Sequence, residues 1–241
     1  MNNDFLEIIK IFEKIKKKGY IKSLYVDNGA AGKMFEVLID KKLDNKCLPD
    51  YKNIEIKTSI ESDKYPITLF SCIPLKKNYS SYETLLYLID NYGYITSNCC
   101  KALMINVKEG KIKYCKNHFG FMLKVSYKWK KIFLCIFHKN KIYDTSIYWK
   151  FDDIYSAFST KLSKMVCINY KKKIIHSDKF FYYHNMHCYK LKSLDDIIFA
   201  IKNNIITINL NFSLFCGKLK YHGINFVIYE NDLNNIYNLI K

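Results

Sequence analysis

The stretch Leu48-Pro-Asp-Tyr-Lys-Asn-Ile-Glu-Ile-Lys-Thr58 decides how the rest of the chain is read. If Glu55-Ile56-Lys57 is a strand, successive side chains leave opposite faces. Glu55 and Lys57 then share one face, while Ile54 and Ile56 enter a core. Asp50 follows Pro49 and precedes the tight Tyr51-Lys52-Asn53 stretch, which sets it at the lip of the neighbouring strand, within carboxylate reach of Glu55. Two hard oxygen donors and one ammonium converge on one spot. Mg2+ is commonly held by one or two carboxylates together with phosphate oxygens and waters, a role that fits Asp50 and Glu55. A neighbouring lysine can orient an attacking water, help it ionise or offset growing negative charge, which fits Lys57.

An acid-x-Lys triplet is common in so lysine-rich a chain. Asp40-Lys41-Lys42, Asp44-Asn45-Lys46, Asp50-Tyr51-Lys52 and Glu109-Gly110-Lys111 have the same form, so the flanking sequence must decide. Upstream, Phe5, Ile8, Ile9, Phe12 and Ile15 recur at helical spacing, and Gly19 ends that helix. A short strand is expected at Ser23 to Val26. Asn28-Gly29 to Gly32 then turns into a second helix whose Phe35, Leu38 and Ile39 share a stripe, with Glu36 beside it. Lys41, Lys42 and Lys46 read as a solvated loop. The three prolines, Pro49, Pro66 and Pro74, bracket strands.

The motifs Asn28-Gly-Ala-Ala-Gly-Lys-Met-Phe-Glu-Val-Leu-Ile39, Leu48 to Thr58 and Pro66-Ile-Thr-Leu-Phe70 stand in compact order, and Tyr221-His-Gly-Ile-Asn-Phe-Val-Ile228 lies far downstream. Together they resemble the MvaI/BcnI family of restriction endonucleases, related to MutH and to the PD-(D/E)XK nucleases. The family pattern has a glycine turn, a helix carrying a glutamate, Pro-Asp-Phe/Tyr, Gly-Ile-Glu-x-Lys-Thr, an Ile-Thr/Ser-Leu-Phe strand and a C-terminal His-Gly-x-x-Phe-Arg-Ile. Two positions depart from it. Asn53 replaces the glycine, which asparagine tolerates by entering left-handed conformations, and Val227 replaces the arginine.

The resemblance implies catalytic roles for Glu36, Asp50, Glu55 and Lys57, and a metal set of Asp50, Glu55 and Ile56. It implies DNA contacts from His222 and its neighbours. Tyr221, Asn209, Asn211, Lys218 and Lys220 are chemically able to touch bases or phosphates. The implied activity is that of a type II site-specific endonuclease, a monomer using one or two Mg2+ ions on double-stranded DNA and paired with a cognate DNA methyltransferase. A MutH-like strand-specific nicking enzyme and a catalytically silent DNA-binding protein of the same fold are the alternatives.

Composition bounds the reading. The chain has 241 residues, 49% hydrophobic and 25% charged, which suits a folded protein large enough for one domain or two lobes. The net charge of +17 favours a polyanionic partner, although a coding bias toward Lys, Asn, Ile and Tyr accounts for it equally well. There is no arginine. Nine cysteines, an odd number without a signal-peptide pattern, read as free thiols in a reducing cytoplasm. Cys99-Cys100 and the group His184, His187 and Cys188 lack a second pair at zinc spacing. No apolar run reaches membrane-spanning length.

Further strands are expected at Ile67 to Cys72, Ala102 to Val107, Gly120 to Tyr127, Lys131 to His138, Ile205 to Phe215 and Asn225 to Tyr229. Helices are expected at Tyr82 to Asp90, Phe151 to Lys164 and Leu194 to Lys202, with a closing helix through Leu233, Ile236, Tyr237 and Ile240. This is a mixed α/β layout, in which a PD-(D/E)XK restriction-endonuclease-like core is joined by a DNA-recognition lobe. The lobes are expected at about 1–140 (catalytic) and 141–241 (recognition), within one continuous globular unit.

Overall fold

A computed structural model describes residues 3–41, 48–60, 65–98 and 100–241. Lys42, Lys46 and Cys99 of the sequence reading lie outside them. In chain order the elements begin α1 (Asn3–Lys16), β1 (Ile21–Lys22), α2 (Ala30–Leu38), β2 (Glu55–Ser59), β3 (Ile67–Ser71) and β4 (Leu75–Lys76). They continue α3 (Ser81–Tyr92), β5 (Tyr94–Ile95), β6 (Lys101–Val107), β7 (Lys113–Tyr114), β8 (Phe119–Ser126), β9 (Lys131–His138) and β10 (Lys141–Lys150). The chain closes with α4 (Phe151–Lys161), β11 (Lys164–Ile175), β12 (Asp178–Leu191), α5 (Asp195–Lys202), β13 (Ile206–Phe215), β14 (Lys218–Ile228), a 3-10 turn at Glu230–Asn235 and β15 (Tyr237–Leu239). The mixed α/β class holds.

The chain forms two compact units, and neither is a continuous half. The first comprises Met1–Ile67, Ala157–Lys192 and Ile236–Lys241; the second comprises Thr68–Ser156 and Ser193–Asn235. The division therefore does not fall near residue 140. Its origin is the parallel pairing of β2 with β11, in register Glu55 with Met165 and Lys57 with Cys167. Parallel neighbours need a long crossover. Here residues 68–156 of the second unit lie within that crossover.

In the first unit the sheet order is β1-β12-β11-β2, with β15 also pairing β12. The apolar stripe of α1 (Phe5, Ile8, Phe12, Ile15) and that of α2 (Ala31, Met34, Phe35) share a core with Ile54, Ile56, Val166, Ile168 and Tyr183. Gly32 lets α2 approach β2 closely: a Cβ there would stand 3.3 Å from Thr58 Oγ1. Tyr183 ties the helix to the sheet, its hydroxyl donating to the Ala31 carbonyl at 2.7 Å and its ring meeting Phe35 edge-on at 5.1 Å. Because Phe35 is fully buried, Phe35→Ala is expected to cost about 3–5 kcal/mol, measured by denaturant unfolding. A loss below about 1 kcal/mol would show that α2 is not anchored there.

The second unit holds two five-stranded sheets, β4-β10-β9-β8-β7 and β3-β14-β13-β6-β5. Ser80 caps α3 by accepting the Glu83 N–H, and the Glu83 carboxylate returns the bond to the Ser80 N–H. Buried aromatics fix β14: Phe226 stacks on Phe70 at 4.5 Å and meets Trp149 edge-on at 6.0 Å.

Four expectations are corrected. The strand near residue 23 is Ile21–Lys22, because Ser23 turns the chain through hydrogen bonds between its side chain and Tyr25. α4 ends at Lys161, where β11 follows almost at once. β14 begins at Lys218, well before Asn225. The closing helix is a 3-10 turn followed by β15, whose Tyr237 pairs with Leu191 of β12.

Candidate functional site

β2 is the outer strand of its sheet, so one of its edges has no strand partner among the described residues. Asp50 occupies that edge. Its Oδ2 accepts the Ile56 N–H at 2.9 Å, and the N–H and carbonyl of a strand residue point to the same side, which puts the Ile56 carbonyl on this edge too. Asp50 is delivered by a tight turn in which Tyr51 and Ile54 exchange main-chain hydrogen bonds of 2.9 and 2.8 Å. The left-handed residue of the turn is Lys52, at φ 52°, rather than Asn53. A neighbouring lysine thus takes the strain expected of the asparagine.

Glu55 is 1% exposed, on the face of β2 opposite the isoleucine core. Its Oε1 accepts from the Lys57 ammonium at 2.8 Å and faces the Lys161 ammonium at 3.3 Å. Its Oε2 is buried and has no hydrogen-bond partner among the described residues. Glu36 comes from the last turn of α2. Asp40, at φ 58°, folds the chain back so that the Lys41 N–H donates to the Glu36 carbonyl at 2.9 Å. The Lys41 ammonium then lies 3.5 Å from Glu36 Oε2 and pairs closely with Asp50 Oδ1.

These groups perturb one another. Burial, the largest influence, pushes the Glu55 carboxyl above its ordinary pKa; the Asp50 charge adds to this, while Lys57 and Lys161 oppose it. Glu36 is pushed up for the same reasons, burial first and Asp50 second, against Lys41. The arrangement is a cluster of carboxylate oxygens paired with the ammonium groups of Lys41, Lys57 and Lys161. A buried carboxylate oxygen without a partner costs free energy unless something occupies its lone pairs, and hard oxygen donors suit a divalent cation. Asp50, Glu55 and the Ile56 carbonyl fit that demand.

Glu36, Asp50, Glu55 and Lys57, all named from sequence, belong to one unit and interact. Two members were missed. Lys41, read as part of a solvated loop, bridges two of the acids, and nothing in its local sequence signals the left-handed turn that brings it back. Lys161 arrives from distant sequence at the end of α4 and carries no motif.

The residues expected to touch DNA belong to the second unit. Pairing of Asn209 with Asn225 and of Phe215 with Lys218 puts Asn209, Lys218 and Lys220 on one face of β13 and β14, with Asn211 alternating onto it. Tyr221 opposes the buried Phe212 on the other face, and its hydroxyl accepts the Ile224 N–H at 2.9 Å. His222 is exposed at the irregularity beside Gly223, which at φ 110° takes a conformation that suits glycine. A further row missed from sequence adjoins Asn209: the Asn106 amide donates to Asn209 Oδ1 at 2.6 Å and to Thr207 at 2.8 Å.

Residues 9–237 match the model of the MvaI/BcnI restriction endonuclease family. The chain belongs to that family. The MvaI/BcnI proteins are DNA-cleaving hydrolases that generally use divalent metal ions. Among solved structures, the chain is similar to restriction endonuclease MvaI in complex with its cognate DNA substrate, with a TM-score of 0.90 and 23% identity over 99% of this chain and 98% of that one. It is also similar to MvaI in the absence of DNA, with a TM-score of 0.63 and 22% identity over 99% and 97% of the two chains. At these identities the likeness is one of fold. A search of curated proteins found no match.

Proposed function

We propose that this protein is a type II restriction endonuclease that hydrolyses both strands of a short duplex DNA sequence with Mg2+, on a PD-(D/E)XK core. The observation that carries this reading is the meeting of Glu36, Asp50, Glu55 and Lys57 at the open edge of β2, with Glu55 Oε2 buried and unpartnered among the described residues. Asp50, Glu55 and the Ile56 carbonyl would hold the metal, and Glu36 would bind or position a second cation or its waters. The bound ion would supply Lewis-acid polarisation of a phosphate oxygen and a more acidic water. Lys57 orients that water and offsets the charge gained by the phosphate.

The likeness to MvaI bound to its cognate DNA supports a duplex substrate. The second unit would read bases from the β13–β14 face bearing Asn209, Asn211, Lys218 and Lys220, with His222 at the irregularity of β14; Tyr221, on the opposite face, would not share in it. Asparagine can pair bidentately with adenine. The net charge of +17 supplies sequence-independent attraction to phosphate. We further propose that the enzyme acts as a monomer in the cytoplasm, with a DNA methyltransferase protecting the host sites. No helix among the described residues is long and apolar enough to cross a membrane.

Purified protein incubated with unmethylated plasmid and genomic DNA is expected to yield discrete fragments with Mg2+ and none with EDTA. Open circles that never become linear would replace this reading with strand-specific nicking. Binding without cleavage across many sequences would replace it with a silent DNA-binding protein.

A further inference from the structure

Two ammonium groups from distant parts of the chain share one oxygen of Glu55. Lys57 lies two residues along the same strand and approaches Oε1 at 2.8 Å, while Lys161 approaches the same atom at 3.3 Å from the last turn of α4. Oε2 stays buried with no partner among the described residues. The Lys57 ammonium has three N–H donors and engages Oε1 with one of them, so a second cation on the same oxygen frees Lys57 from being the only anchor of the carboxylate.

Lys161 has the anchorage to take over that grip. The next residue, Leu162, is fully buried, its N–H donates to the Phe158 carbonyl at 2.9 Å, and its carbonyl accepts the buried Tyr237 hydroxyl at 3.0 Å. The Ser163 carbonyl accepts the Leu191 N–H at 3.0 Å. The backbone that carries Lys161 is therefore pinned to β12 and β15 before it enters β11, the neighbour of β2. Lys57, by contrast, is carried by β2 itself.

We propose that Lys161 is a positioning residue of the cleavage centre: it holds Glu55 Oε1, keeps Oε2 directed to the cation site, and so releases Lys57 for the water and the phosphate. The assignment rests on the nuclease reading above. It gives Lys161 a role that no motif signals.

The test is a double-substitution cycle with two readouts. In single-turnover cleavage at saturating Mg2+, Lys161→Met is expected to lower the rate by about tenfold to a hundredfold with the Kd for DNA, measured separately, changed by less than about twofold; Lys161→Arg recovers most of the rate. In metal-free melting, Lys161→Met lowers Tm by about 2–4 °C in the Glu55 background and by less than about 1 °C in the Glu55→Gln background, because the partner charge is gone. Wild-type rates in Lys161→Met, or the same Tm loss in both backgrounds, would overturn the proposal, the latter by reducing Lys161 to packing. Failure of the unsubstituted protein to cut any duplex would instead count against the nuclease reading, and the melting cycle separates the two failures.

Discussion

Replacing Lys57 with alanine is expected to lower the single-turnover cleavage rate by about 10²- to 10⁴-fold while leaving duplex affinity within about threefold. The first half of that expectation follows from position. Lys57 shares the face of β2 that carries Glu55, its ammonium is 2.8 Å from Oε1, and its side chain is only 20% exposed, so its charge acts where little water screens it. The second half follows from number. Lys57 is one of 39 basic residues, all lysine, and sequence-independent affinity for phosphate is spread over many of them. A variant that binds normally and fails to cut would therefore separate chemistry from grip. If Lys57→Ala cuts at the full rate, the lysine is only a counter-ion to Glu55. If it loses binding in parallel with cutting, the residue belongs to the DNA grip and the water-assisting role must pass to another group.

The site was legible where local periodicity alone determines direction. Glu55 and Lys57 share a face because side chains alternate along a strand, and Asp50 reaches the same place because a turn of fixed length after Pro49 leaves little choice. The stripe of α1 and the position of Glu36 beside that of α2 were readable for the corresponding helical reason. Illegibility begins where the cause is remote. Lys41 looks like any loop lysine until Asp40 adopts a left-handed backbone, and Lys161 acquires its role only when the crossover returns the chain alongside β2.

The hairpin of β11 and β12 escaped the sequence reading for another reason. Met165, Val166, Cys167 and Ile168 are all fully buried, so the strand is covered on both faces and shows a continuous apolar run instead of alternation. That hairpin is the centre of the first unit, and it joins residues from both sides of position 140 in one sheet. The closing segment shows the converse error. Leu233, Ile236, Tyr237 and Ile240 match helical spacing, yet an edge of β12 was available, and Tyr237–Leu239 pairs with it. Spacing over so short a stretch does not separate a helix from a turn followed by a strand.

Glu55→Gln is expected to abolish cleavage and at the same time raise the metal-free melting temperature at neutral pH by about 3–6 °C. Both effects have one cause. Glu55 is 1% exposed, and burial, reinforced by Asp50, raises its carboxyl pKa in the folded state despite Lys57 and Lys161. A carboxyl whose folded pKa lies above its unfolded value gives stability that is fully present below the unfolded pKa and is lost as pH rises through the folded one. In EDTA, the protein should therefore lose stability as pH climbs from about the ordinary glutamate value through the raised one, with Glu36 contributing in the same direction for the same reason. Glutamine carries no charge, so the variant should show a flatter profile over that window, with Glu36 still contributing. A divalent ion acts on the same strain from outside, stabilising the native state by mass action if it binds there. Ca2+ or Mg2+ should then raise the melting temperature of the unsubstituted protein and leave Glu55→Gln nearly unmoved. Equal metal-induced shifts in the two proteins would place the cation elsewhere, and a Glu55→Gln protein less stable than its parent at neutral pH would mean that the two lysines more than offset the burial of the carboxylate. The first outcome would leave Glu55 as a buried counter-ion to Lys57 and Lys161, and the nuclease centre would have to be rebuilt around Asp50 and Glu36.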